Sequence, residues 1–391
     1  MQGFTLHAPT EIVFGKGSEE QTAGLVKKYG GTKVLIVYGQ GSVEKFGLLD
    51  KIADKLVSEG VAVLKHGGAT PNPHLSFARE GIRAATEFGA DFILAVGGGS
   101  AIDAAKAIAH GTRNPDMDIW KFWLREEPLT RSLPVGVVLT ISAAGSETSN
   151  SAVITNTETG QKRGLLTDFN RPRFAVMSPE LTYTLPKYQI ACGVADIMMH
   201  TMDRYFTPEA NENKVSEMTD EIAEALLRVV IKYGPAALEN PTDYQAQSEI
   251  MWAGSLSHNG ITGLGRTMDF SVHGLGHELG GRFDVAHGAS LTTMWGSWAR
   301  YVLAVNPERF ARYAEKIWGA KTPEEGISKT EAFFKSIGMP TCFTELGIGV
   351  QPDDVIDHLA DGAVFQGKRL VGTFKPLDKN DCAAIYQAAN K

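Results

Sequence analysis

Cysteine is scarce in this sequence and follows no pattern. Cys192, Cys342 and Cys382 are the only thiols among 391 residues, scattered and odd in number, which excludes a disulfide framework and a cysteine metal finger. Buried, inert thiols are expected instead. Basic clusters are missing as well: 38 Lys and Arg against 45 Asp and Glu give a formal net charge of -7. Without such a cluster there is no electrostatic footprint for nucleic acid or an acidic membrane, and neither is expected as a partner. Nowhere do about 18 consecutive apolar residues occur, as a membrane-spanning helix requires. The opening MQGFTLHAPTEIVFGKG has no basic start followed by an apolar run, so a cytoplasmic protein is expected. Repeats and low-complexity tracts are also wanting, and 43% hydrophobic with 21% charged residues describes an ordinary globular chain. Its length exceeds that of one hydrophobic core, which predicts two domains.

What is present changes character near Leu185 and Pro186. Before that point short β-branched runs alternate with helix-like segments, most clearly at Lys33 to Tyr38, Val61 to His66, Phe92 to Val96 and Val135 to Ile141. This is the rhythm of a parallel α/β sheet. Beyond it come long amphipathic stretches, Gln189 to Phe206, Val215 to Tyr233 and Ser290 to Val305, which predict helices. The expected architecture is a Rossmann-like α/β dinucleotide-binding domain over 1–186 and an all-helical domain over 187–391 that carries metal and substrate. The cleft between two domains is the default place for a ligand.

The segment DFILAVGGGSAIDAAKAIA reads as a buried strand, a turn of Gly97, Gly98 and Gly99, an N-cap at Ser100 and an alanine-rich helix. Bare glycines let backbone N–H groups approach a pyrophosphate, and the helix start adds a favourable dipole. A tight strand-to-helix turn explains the same glycines, which do not form G-x-G-x-x-G, and Asp103 and Lys106 read equally as helix surface. A second strand, Lys33 to Tyr38, runs into Gly39-Gln40-Gly41-Ser42. In dinucleotide folds an acid at such a strand end holds the adenosine ribose and repels a 2′-phosphate. Positions 39–42 carry none, which leans toward NADP(H) over NAD(H), with Ser42 and Lys45 available to the phosphate. Glu44 pulls the other way.

Asp196 and His200, four residues apart in a helical stretch, project from one face. His273 and His277 form a second such pair. Gly280 and Gly281 are expected to end that helix and let the chain return His287 toward its start. Any one of these residues is explained as core or cap, but three of the ten histidines fall within fifteen residues of a glycine-rich stretch. That concentration points to a metal site. His110 and His258 are read as structure or pocket lining. Nitrogen and carboxylate donors without thiolate suit Fe(II) or Zn(II), with Mn(II) as a further candidate.

These residues resemble the iron-containing (group III) alcohol dehydrogenases, especially their butanol dehydrogenase and NADPH-dependent aldehyde reductase branch. The resemblance runs nearly end to end, through Pro9 to Gly17, Thr70-Pro-Asn-Pro73, Gly97 to Asp103, Gly145-Ser-Glu147, Pro179 to Pro186 and the Asp/His segments. It implies a dehydroquinate synthase-like architecture with the active site in the cleft, and a divalent ion on Asp196, His200, His273 and His287. It also implies that His277 is a non-ligand histidine near the substrate, a candidate for proton relay. For the cofactor it suggests Gly39, Gln40, Gly41, Ser42, Asn72, Gly97, Gly98, Ser100, Asp103, Thr140, Ser142 and Lys162. Ser178 and Ala144 depart from the family's usual Asp and Thr. At least a dimer is implied, with Phe4 to Phe14 pairing as a strand.

The expected reaction is hydride transfer between NADP(H) and a short-to-medium aliphatic aldehyde or primary alcohol. A bound metal would act as Lewis acid on the substrate oxygen. Met198, Met199, Ile261, Leu264, Phe270 and Leu275 border the Asp/His segments and favour an apolar substrate. That argues against a dehydroquinate synthase-like lyase, whose phosphorylated substrate needs cationic side chains. A non-catalytic metal or redox sensor is the other alternative.

Overall fold

The computed structural model describes residues 1–212 and 214–391. The chain forms two compact units, one of His7–Leu185 and one of Pro186–Lys391 together with Met1–Leu6. The first six residues thus belong with the helices rather than with the α/β unit: the Gln2 backbone N–H donates to the Gly265 carbonyl at 3.1 Å.

The α/β unit is built on eight strands: β1 (Glu11–Phe14), β2 (Lys33–Gly39), β3 (Ala62–Ala69), β4 (Phe92–Gly97), β5 (Val135–Leu139), β6 (Ser151–Asn156), β7 (Gln161–Leu166) and β8 (Phe174–Met177). Six form one sheet in the order β1-β8-β5-β4-β2-β3, with every pairing parallel. β4 and β5 are buried at every residue, as strands covered on both faces must be, which is why they read as continuous apolar runs. On one face Val26, Leu49, Ile52 and Leu56 pack over Val34, Ile36, Phe92 and Phe174. β6 and β7 form a separate antiparallel hairpin. The chain leaves β2 for the β3 edge and leaves β4 for β5, so its connections diverge between β2 and β4. Such a divergence opens a crevice at the carboxyl ends of the strands, where ligands of open α/β sheets bind.

Only Glu11–Phe14 of the N-terminal segment is a strand, and it pairs with β8 of the same chain. Residues 4–10, expected to continue it, have no regular structure.

The second unit is helical. Its Lys187–Tyr205 helix is buried at every residue from Val194 to Tyr205 and packs against the Glu217–Glu239, Tyr244–His258 and His287–Val302 helices. Glu217–Glu239 runs past the expected end at Tyr233, with Pro235 inside it. Phe206, Trp298, Phe310 and Phe374 form an aromatic core beside it. Buried Asp220 is bridged by Arg266 and Arg309 at 2.7 and 2.6 Å. Among the described residues, no helix is long and apolar enough to cross a membrane.

Candidate active site

A helix buried all round normally carries only apolar side chains, yet Lys187–Tyr205 buries Asp196, His200, Asp203 and Arg204. Their spacing of four, three and one places all four along one stripe of the helix. Buried polar groups need partners, since each one left unpaired costs of order 1–3 kcal/mol. Those partners define the site.

Asp196 Oδ1 lies 3.0 Å from His200 Nδ1, 3.7 Å from His273 Nε2 and 3.7 Å from His287 Nε2. His200 Nδ1 also stands 3.0 Å from the Asp196 carbonyl. A carbonyl only accepts, so Nδ1 carries the proton and Nε2 the lone pair. His273 is fixed in the same sense, because its Nδ1 donates to Asp203 Oδ2 at 2.5 Å. In the neutral ring, the form that binds a metal, its Nε2 then presents a lone pair to Asp196 Oδ1, and neither atom has a hydrogen bond of acceptable geometry. Two buried acceptors facing one another are satisfied by a cation. Burial works against the charge on Asp196, but His200 and His287 hold its carboxyl well below the usual range. For His273 burial acts downward, while the Asp196 and Asp203 carboxylates more than offset it. Asp196, His200 and His273 bring one ligand atom each within 4.8 Å of one another. His287 is the more open member, its side chain 27% exposed against 5% for Asp196. It is presented at the first position of its helix, where a Cβ on Gly288 would overlap the Cys192 carbonyl. The absence of that Cβ lets the two helices come this close.

The Ser271–Phe283 helix carries His273 and His277 and passes through Gly280 and Gly281 rather than ending there. Asp284 ends it at φ 50°, a left-handed turn that Asp tolerates better than most residues. A helix interior bears glycine at a cost of about 1 kcal/mol each, so the break falls three residues later than expected. His277 is half-buried, its ring 6.2 Å from that of His273 and 5.3 Å from that of His287. Phe270 stands against His200 and His273 at 6.2 and 5.1 Å. Met198, Met199 and Leu275, expected to border the site, are fully buried core.

In the α/β unit, the parallel register sets Tyr38 beside Val96 and Gly97 beside Leu139. The turns after β2, β4 and β5 therefore follow adjacent strand ends, with the Thr140 N–H bonded to the Gly97 carbonyl at 3.1 Å. Gly39–Ser42, Gly97–Ser100 and Thr140–Ser142 thus share the carboxyl edge of the sheet. The helix begins at Gly99 with Gly98 as its cap residue, so Ser100 lies inside the first turn and not at the N-cap. A Cβ on Gly98 would come within 2.8 Å of Ile141, a backbone left bare beside a helix start, as a pyrophosphate site requires.

Asn72 and Lys162 come together, the Lys162 ammonium donating to Asn72 Oδ1 at 2.9 Å. Asp103 is not helix surface. Its Oδ1 accepts from Ser146 Oγ at 2.5 Å and its Oδ2 from the Val153 N–H at 2.9 Å. Buried Lys106 donates to Ser146 O, Ser146 Oγ and Ser151 O at 2.7–2.8 Å.

Three residues at these sites escaped sequence reasoning or were set aside by it. Asp203 follows His200 by three and continues the polar stripe, so helical periodicity carried the signal. Arg204 donates to the His200 carbonyl at 2.7 Å and to His258 Nδ1 at 2.9 Å. His258, set aside as structure or lining, packs its ring 4.1 Å from that of His200. Burial and the neighbouring His200 and Arg204 hold its pKa well below the ordinary imidazole value.

The family model described as "Iron-containing alcohol dehydrogenase" matches residues 9–179, and "Fe-containing alcohol dehydrogenase family, C-terminal" matches 189–390. The chain is 37% identical to NADH-dependent butanol dehydrogenase A of Clostridium acetobutylicum, covering 99% of each. It is 35% identical to the NADPH-dependent aldehyde reductase YqhD of Escherichia coli, covering 89% of this chain and 90% of that one. In structure it resembles NADH-dependent butanol dehydrogenase A of Thermotoga maritima with a TM-score of 0.95 and 33% identity, over 100% of this chain and 99% of the other. With both halves matched in order and relatives aligned over almost the whole length, this chain belongs to the iron-containing alcohol dehydrogenase family.

Proposed function

We infer that this protein is a metal-dependent alcohol dehydrogenase or aldehyde reductase, acting on short-to-medium aliphatic aldehydes and primary alcohols with a nicotinamide dinucleotide as hydride carrier. The observation that carries the reading is buried Asp196 Oδ1, without a hydrogen bond of acceptable geometry and with His273 Nε2 and His287 Nε2 each 3.7 Å away, while Asp196, His200 and His273 bring ligand atoms within 4.8 Å of one another. Asp196, His200, His273 and His287 are the proposed ligands of one divalent ion, a nitrogen-rich set without thiolate that suits Fe(II) or Zn(II). When bound, the ion supplies Lewis-acid polarisation of the substrate oxygen and the dinucleotide exchanges hydride.

The chain's own residues do the rest. Asp203 holds the His273 ring with Nε2 toward Asp196. His277, half-buried beside His273 and His287, is the proposed proton relay, since an imidazole titrates near working pH. The Phe270 ring gives the site an apolar wall suited to an alkyl chain. The proposed cofactor contacts are Gly39–Ser42, Asn72, Gly97, Gly98, Ser100, Thr140, Ser142 and Lys162, with Asp103 tying the helix behind the glycine turn to β6. NADP(H) is favoured by the absence of an acid within 39–42, with NAD(H) as the alternative. A cytoplasmic location is proposed with it, and a homodimer or higher homo-oligomer as the family resemblance implies.

Anaerobic purification with metal analysis, followed by NADPH or NADH with butanal at the nicotinamide absorbance band, tests the reading. One divalent ion per chain and aldehyde-dependent loss of absorbance are expected. Metal binding without turnover would leave a sensor. Turnover of a phosphorylated polyol without net nicotinamide oxidation would leave a lyase.

A further inference from the structure

We propose that Glu44, aimed by Tyr38, is the residue that discriminates between NAD(H) and NADP(H). This rests on the dinucleotide reading above and on the divergence of connections between β2 and β4. A dinucleotide whose pyrophosphate lies on the Gly97–Ser100 turn places its adenosine ribose at the end of the neighbouring strand, here β2. The turn that follows β2 carries no acid of its own. Glu44 enters from beyond it: its Oε1 accepts from the Tyr38 hydroxyl at 2.7 Å. The other oxygen stands 3.3 Å from where a Cβ of Gly41 would be, and Gly41 has φ 98° and no side chain to displace it. The carboxylate is thus folded back over the 39–42 turn.

Tyr38 is the final side chain of β2, and the register sets it opposite Gly67 of β3. A Cβ at Gly67 would overlap the Tyr38 ring, so the glycine gives the ring room to lie across β3 and point its hydroxyl at Glu44. Burial and the hydrogen bond to Glu44 push the Tyr38 hydroxyl up to about 12; it therefore remains a donor. Lys45, the cation that could serve a 2′-phosphate, has its ammonium over the Phe46 ring, 5.8 Å from the centroid.

A carboxylate at this place accepts hydrogen bonds from the ribose 2′-hydroxyl and repels a 2′-phosphate. Glu44 therefore acts against NADP(H) in a turn whose own four residues would admit it. Ser42 and the bare glycines leave room for the phosphate, and the charge of Glu44 sets how much of it is tolerated.

Dissociation constants of NADH and NADPH, read by nicotinamide fluorescence on the wild type, Glu44→Gln and Tyr38→Phe, test this, with adenosine 2′,5′-bisphosphate against 5′-AMP isolating the adenosine end. Glu44→Gln is expected to shift the NADPH-to-NADH affinity ratio at least about tenfold toward NADPH. Tyr38→Phe, which frees the carboxylate without removing it, should shift it less in the same direction. An unchanged ratio in Glu44→Gln, with both dinucleotides still bound, overturns this proposal alone. Failure of the wild type to bind either dinucleotide overturns the oxidoreductase reading with it.

Discussion

Asp203 Oδ2 stands 2.5 Å from His273 Nδ1, and that one contact decides which nitrogen His273 turns toward Asp196. Outer hydrogen bonds of this kind typically contribute 10–100-fold to metal affinity. Asp203→Ala is expected to weaken binding of Zn(II) or Fe(II) by about that factor in chelator competition, with Asp203→Glu restoring part of it. Equal affinity in Asp203→Ala and wild type would show that the His273 ring keeps its place without this bond.

His273 and His277 lie one turn apart on the same helix, the first proposed as a metal ligand and the second as a proton donor. His273→Ala should abolish metal content and turnover together. His277→Ala should keep the metal and lose turnover by about 10²-fold or more, the usual contribution of a positioned proton donor. Metal retained at full occupancy in His273→Ala would remove it from the ligand set, and an unchanged rate in His277→Ala would remove the proton role.

Gly98 is bare where the proposed dinucleotide would approach the backbone. Gly98→Ala brings a methyl against Ile141 at 2.8–3.0 Å, a contact tight enough to displace the turn. Dinucleotide affinity, measured by nicotinamide fluorescence, should fall at least about tenfold while metal content stays unchanged. Full affinity would place the pyrophosphate elsewhere.

His110 is expected to make the α/β unit acid-sensitive. Its Nε2 donates to Asn170 Oδ1 at 2.8 Å, and burial lowers its pKa to about 4 from 6.5. The folded state thus refuses a proton that the unfolded chain accepts. The stability this represents is complete above pH 6.5 and is lost as pH falls toward 4. At about 1.4 kcal/mol per unit it amounts to roughly 3 kcal/mol. In urea unfolding, His110→Gln should reduce the loss between pH 7 and pH 4.5 by about 2 kcal/mol. Identical losses in the two proteins would assign the acid sensitivity to other groups.

The strands of the main sheet were legible because burial on both faces writes them as apolar runs, and β2 and β4 begin at their expected residues. Boundaries were harder to read where a local signal competed with packing. Gly280 and Gly281 look like a helix stop, but the helix continues to Phe283. Gly99 and Ser100 look like turn and cap, yet both lie inside the helix. Asp196, His200, His273 and His287 were recognisable as residue types, but the tautomers were not. Those depend on Asp203, seventy residues from the histidine it orients, and on a backbone carbonyl at Asp196. Glu44 was visible as a charge near a turn, while the direction of its carboxylate required knowing that Gly67 leaves space for Tyr38.

The β6–β7 hairpin adds no strand to the main sheet, and a two-stranded ribbon alone is marginally stable in water. Here Asp103 and Lys106 fasten it from the helix behind the glycine turn, at the Val153 N–H and the Ser151 carbonyl of β6. Hairpin and helix are therefore expected to open as a single unit of local unfolding. In hydrogen exchange the amides of 151–156 should be protected alongside those of 101–110, so that an appendage acquires the lifetime of the core helix to which it is pinned.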